Sequence, residues 1–238
     1  MVHMFWLLLI IANLIIQIRY FLAPSERLYL AKRITTPLML FGAFLVIIIS
    51  TNKFPLVESL ILIAMGLGEI GIEGSQVVES KKGDETGHTS WLVTAAGVLF
   101  LLVNVGLGIV LLSRAQGFTA RFVGIFVGIF GIAGMVMILG RTYSQNKNVL
   151  LQIRIYAVGL MILAAGTISV LLYDPGHLGY AAMILTISDG LVLWRMGAGW
   201  DRERPKEKKT LFLFLIVILL LYYSYMALLI DGTAPFIR

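Results

Sequence analysis

Eight times along this chain, eighteen or more predominantly apolar residues follow one another with few charges among them. A bilayer core of ~30 Å takes about 20 residues of helix to cross, so runs of this length mark membrane spans. Only 13% of the residues are charged and the mean hydropathy is +0.92, whereas soluble domains carry roughly 25% charged residues. The runs lack the apolar–polar alternation of barrel strands, which leaves helix as the spanning structure. The sequence therefore predicts an all-α fold, a polytopic integral membrane bundle of eight transmembrane helices. The spans fall at Val2–Leu22, Ile34–Thr51, Leu56–Gly74, Trp91–Ser113, Phe118–Gly140, Val149–Tyr173, Leu178–Met196 and Thr210–Ile230. Pro37 and Pro55 fall near predicted helix starts, where a missing N–H costs nothing. Asp174-Pro175-Gly176 signals a turn.

The loops alternate in charge. Fifteen of the nineteen basic residues fall on one side of the predicted membrane, and only Lys53, Arg114, Arg121 and Arg238 on the other. The basic side is the cytoplasmic one. The long polar stretches Ser75–Ser90 and Gly197–Lys209 are then cytoplasmic loops and both termini face outward. This reading places the chain in the plasma (inner) membrane as a multi-pass protein. The first run is too long for the apolar part of a signal peptide and has no small-residue cleavage site, so it is expected to stay as a span. The whole chain, 1–238, reads as one transmembrane domain.

Composition narrows the chemistry. There is no cysteine, which excludes disulfides, zinc–thiolate sites and a cysteine nucleophile. His3, His88 and His177 fall at ends or in loops, so no intramembrane histidine cluster is expected to hold a metal. No cofactor is expected either. The basic pI belongs to membrane topology, not to nucleic-acid binding. Gly124 and Gly128 stand at GxxxG spacing, which predicts close packing against a neighbouring helix.

Ionisable groups inside a bilayer are costly and face a bundle interior or a cavity. Two carboxylates stand out: Glu69 in span three and Asp189 in span seven. Glu73 lies one helical turn beyond Glu69 on the same face. Thr36, Asn104, Tyr156, Ser188 and the tyrosines Tyr222, Tyr223 and Tyr225 fall at similar depth. Together they predict a pocket open toward the cytoplasm, with Arg33, Arg154 and Arg195 at its mouth. For the uncharged members, interhelical hydrogen bonding is the competing reading. For the arginines it is contact with lipid headgroups.

Six segments, "TTPLML" (Thr35–Leu40), "MGLGEIGIEG" (Met65–Gly74), "VLFLLVNVGLGI" (Val98–Ile109), "IYAVGLMILAAG" (Ile155–Gly166), "MILTISDGLVLW" (Met183–Trp194) and "LLLYYSYMALL" (Leu219–Leu229), stand in an order and spacing that resembles the YhhN-like family, which contains the lysoplasmalogenases. The resemblance covers nearly the whole chain. It departs at four places: Thr36 where the family has Lys, Glu69 for Asp, Asn104 for His, and Gly190 for the second Ser of Ser-Asp-Ser.

The resemblance implies hydrolysis of the vinyl ether bond of a lysoplasmalogen, yielding a fatty aldehyde and a glycerophospho-base. The partner would be a lysophospholipid or another single-chain lipid. Protonation of the carbon beta to oxygen gives an oxocarbenium ion that water attacks, so an acid protonated at neutral pH is required. Burial disfavours the charged form of a carboxyl group. Glycosidases divide similar work between two carboxylates. Glu69 and Asp189 are the expected catalytic pair, Glu69 donating the proton and Asp189 acting in ionised form. Thr36, Glu73, Asn104, Tyr156, Ser188, Tyr222, Tyr223, Arg33 and Arg195 are expected to bind substrate. Two readings compete: a non-catalytic lipid-binding or transport protein on the same fold, and a purely structural helix bundle.

Overall fold

A computed structural model describes residues 2–51, 56–82, 91–142, 147–174, 176–197 and 208–233. Side chains are described for these except at 2, 72–82, 91–94, 138–142, 147–152, 196–197 and 232–233. The elements are all helical: α1 Val2–Leu22, α2 Glu26–Thr51, α3 Leu56–Lys82, α4 Trp91–Arg114, α5 Phe118–Thr142, α6 Lys147–Leu171, α7 Gly176–Gly197 and α8 Lys208–Thr233. Among the described residues, seven of them, all but α3, carry a stretch long and apolar enough to cross a membrane. The chain is thus a multi-pass helical membrane protein.

Several helices run past the apolar segments that announce them. Two differ most, each by eight residues: α3 runs on to Lys82, past the expected Gly74, and α2 begins at Glu26, before the expected Ile34. At α2 the reason is local. Ser25 caps the helix, its Oγ accepting from Leu28 N at 3.3 Å, and Glu26 puts a negative charge at the positive end of the helix dipole. Pro37 therefore lies inside α2 and not at its start. It can donate no hydrogen bond to the carbonyl of Arg33, a defect of about 3 kcal/mol in a helix interior.

The chain forms two compact units, Met1–Phe100 with Ile230–Arg238, and Leu101–Leu229. In the first unit, α1 and α2 form an antiparallel hairpin. His3 Nε2 meets Ser50 Oγ at 3.2 Å, and Trp6 Nε1 donates to the Met39 carbonyl at 3.1 Å. Deeper along the pair, Asn13 Nδ2 donates to Thr35 Oγ1 at 2.9 Å and to Thr36 Oγ1 at 3.0 Å. Gln17 Nε2 reaches the same Thr36 oxygen at 3.2 Å. The two hydroxyls in turn donate to the carbonyls of Ala31 and Lys32 at 2.9 and 3.0 Å. Side chains thus supply hydrogen bonds in the turn that Pro37 weakens, as polar groups in lipid require. Leu40, Ile47, Leu62 and Met65 fill the core beneath, and α3 closes on α2 through Gly66, which faces the Phe41 ring.

In the second unit, α6 is the hub. Two helices reach its backbone through glycine. A Cβ at Gly108 of α4 would stand 2.5 Å from the Ile162 carbonyl oxygen. A Cβ at Gly124 or Gly128 of α5 would strike Ala165, at 2.6 Å from its carbonyl oxygen and 2.7 Å from its Cα respectively. The GxxxG spacing in α5 is thus a packing face, as its sequence predicts. Membrane helices gain little from hiding apolar groups from lipid, and contact at small residues holds them together. The rest of α5 turns outward. Phe118, Phe122, Phe126 and Phe130 form an exposed ladder of neighbouring rings with centroids 6.0, 6.3 and 4.6 Å apart.

Candidate functional site

Asp189 sits on α7 in the second unit and is buried. Two other helices supply its partners. Asn104 of α4 donates from Nδ2 to Asp189 Oδ2 at 2.9 Å, and the Tyr156 hydroxyl of α6 also bonds the carboxyl group. Asn104 is buried and Tyr156 half-buried. One turn earlier, Thr186 of α7 meets Thr167 of α6, Oγ1 to Oγ1 at 3.2 Å. A polar seam thus runs between α6 and α7 and ends on the carboxylate.

Local sequence accounts for the convergence. Asn104 lies one helical turn before Gly108, the residue at which α4 touches α6, so the glycine contact fixes the depth of the amide. Gly159, three residues after Tyr156, lies against Leu101 and the Cβ of Asn104, which a Cβ at 159 would approach to 3.3 Å. The small residue lets α4 and α6 close until both donors reach one acid. At Gly190, the next residue along α7, an added Cβ would meet nothing within 4 Å.

The structure brings Asn104, Tyr156 and Asp189 together. Asn104 and Tyr156 stand as hydrogen-bond partners of the acid. Ser188 is buried beside them in sequence. On α8, Tyr223 and Tyr225 are buried and Tyr222 half-buried. Arg195 is half-buried at the end of α7, and Arg154 is exposed on α6. Glu69, Thr36 and Arg33 belong to the first unit. Glu69 is half-buried on α3, next to Gly68, whose Cβ would press to 2.8 Å on the Phe100 ring. Thr36 takes part in the network with Asn13 and Gln17. Arg33 lies over the Tyr29 ring, 5.3 Å from its centroid. The side chain of Glu73, His88 and residues 83–90 and 198–207 of the two long polar stretches lie outside the described residues, while the first half of the expected loop Ser75–Ser90 continues α3 to Lys82.

Sequence reasoning passed over Asn13 and Gln17. Their signal was present: two amides four residues apart in an otherwise apolar run. Such a pair must find partners on one face.

Compared with known proteins, the chain matches no family model, no curated protein and no solved structure.

Proposed function

We propose that the chain is a membrane-embedded hydrolase of the YhhN-like kind that cleaves the vinyl ether bond of lysoplasmalogens. The observation that carries this reading is the buried Asp189, held by donors from α4 and α6. A carboxyl group in a membrane helix is costly and marks a functional site by default. Two donors from neighbouring helices hold its geometry.

The chemistry follows from the substrate. A proton adds to the carbon beta to oxygen, and the electron pair of the C=C bond forms the new C–H bond. The positive charge is shared between the alpha carbon and oxygen. Ionised Asp189 stabilises that charge and orients the attacking water. Water adds to the alpha carbon and returns a proton to the acid. The hemiacetal collapses to a fatty aldehyde and the glycerophospho-base. Glu69 is the proposed proton donor, and Tyr156 and Asn104 hold Asp189 in place. Purified protein is expected to release aldehyde from a lysoplasmalogen and none from the ester-linked lysolipid. Glu69→Gln, which keeps size but cannot donate an acidic proton, should lower that release at least ~10²-fold. Absence of aldehyde from correctly folded protein, or full activity in the Gln variant, defeats the assignment.

We further propose eight spans, α3 included, in an inner membrane with both termini outside. The fifteen-to-four division of basic residues supports this orientation. Since the chain has no cysteine, Asp84→Cys gives a single reporter. It should resist an impermeant maleimide in intact cells and react after lysis. Labelling of intact cells would reverse the orientation.

A further inference from the structure

The corner where α1 meets α2 holds a group of side chains to which the proposed hydrolysis assigns no chemical step. Tyr20 stands near the end of α1 and Tyr29 in the first turns of α2, with ring centroids 5.9 Å apart. A cation lies over each ring: Lys32 Nζ is 5.6 Å from the Tyr20 centroid, and the Arg33 guanidinium carbon is 5.3 Å from that of Tyr29. Two aromatic rings thus carry two adjacent positive charges at one end of a helical hairpin.

Among the described residues, the charge of Arg33 is uncompensated. Its Nε is enclosed and makes no hydrogen bond, and no carboxylate pairs with it among the described residues. Glu26, the acid in the first turn of α2, is seven residues away, about 10 Å along the helix axis. The guanidinium is a planar fork of N–H donors. That planar fork matches two oxygens of a phosphate, and the ring limits its rotamers. Tyrosines with basic residues beside them are also the side chains that settle at headgroup depth.

We infer that this corner, Tyr20, Tyr29, Lys32 and Arg33, binds the phosphate of an anionic phospholipid headgroup. Arg33 supplies the fork and Lys32 a second point charge. The two cations favour a lipid of net negative charge over a zwitterionic one, whose own ammonium group opposes them. The site is independent of the hydrolysis, because a diacyl lipid offers no vinyl ether to cleave.

Native mass spectrometry of the detergent-purified full chain tests it, with phosphatidylglycerol and phosphatidylcholine as probes. One phosphatidylglycerol should bind at least about tenfold more tightly than phosphatidylcholine. Arg33→Gln should weaken phosphatidylglycerol at least about tenfold, and Arg33→Lys several-fold, since charge survives but the fork does not. Arg114→Gln removes an exposed cation at the end of α4 and should leave binding unchanged. Thermal unfolding equal to that of the unaltered chain shows that the variants are folded. Equal binding of the two lipids, or equal losses in the Arg33 and Arg114 variants, would reduce the effect to diffuse charge and overturn the site. Displacement of the lipid by millimolar inorganic phosphate would assign the corner to soluble phosphate and overturn the lipid.

Discussion

Asp189→Asn should lower aldehyde release by at least about 100-fold, roughly 2.7 kcal/mol of transition-state stabilisation, while the protein keeps its fold. The substitution is nearly isosteric. The new amide oxygen can still accept from Asn104 Nδ2, whose bond to Asp189 is 2.9 Å long, and the Tyr156 hydroxyl, which both donates and accepts, can pair with either end of the amide. The interhelical hydrogen bonds therefore survive and only the charge is lost. If the carboxylate steadies a developing cation, its loss acts on the transition state, and substrate binding changes little. Asp189→Leu behaves differently. It leaves the buried Asn104 amide without its acceptor, at about 1–3 kcal/mol of stability. Loss of activity there would mix catalysis with folding, so the Asn variant is the informative one. Its melting temperature and lysolipid retention should match those of the unaltered chain. Full turnover in correctly inserted Asp189→Asn protein would remove the paired-carboxylate mechanism and favour lipid binding or transport.

The helices were legible in the sequence because each apolar run is as long as a bilayer is thick. Their ends were less so. At α2 the apolar run starts at Ile34, but the capping chemistry stands eight residues earlier at Ser25-Glu26, and capping is what starts the helix. The candidate site divides in the same way. Depth along a helix can be counted, and it placed Asn104, Tyr156 and Asp189 at similar levels. The choice of Asn104 as a partner of Asp189, 85 residues away, depends on how each helix is rotated about its axis. In a soluble protein the polar face would reveal that rotation. Here lipid-facing residues such as Phe126 and Leu102 are as apolar as buried ones such as Leu107 and Leu163. Glycines carry more of that information. Gly108, Gly124 and Gly128 mark the sides of α4 and α5 that meet α6. For Asn13 and Gln17, the spacing held the signal, because two amides on one face of α1 require acceptors. Their acceptors, Thr35 and Thr36, lie beside the one interior proline of α2.

That glycine face leads to the second large expected effect. Gly128→Leu should destabilise the protein by about 3 kcal/mol, the upper part of the range for overpacking a close contact. A Cβ at 128 would strike the backbone nitrogen of Ala165 and come within 2.7 Å of its Cα. Backbone atoms in the middle of α6 cannot rotate aside as a side chain can, so α5 must move away bodily. Doing so opens the contact at Gly124, where the neighbours are again Ala165 and Ser169. For a domain of this size, a loss of that order corresponds to a fall in melting temperature of roughly 6–12 °C. Gly131→Leu on the same helix is the control. It adds the same side chain three residues on, where an added Cβ meets nothing within 4 Å. Leu is the better helix former by up to ~1 kcal/mol, so this variant should be neutral or slightly more stable. Thermal unfolding of the two variants in one detergent separates the causes. Equal losses at 128 and 131 would attribute the effect to the leucine itself. An unchanged melting temperature in Gly128→Leu would mean that α5 is not held to α6 by this contact.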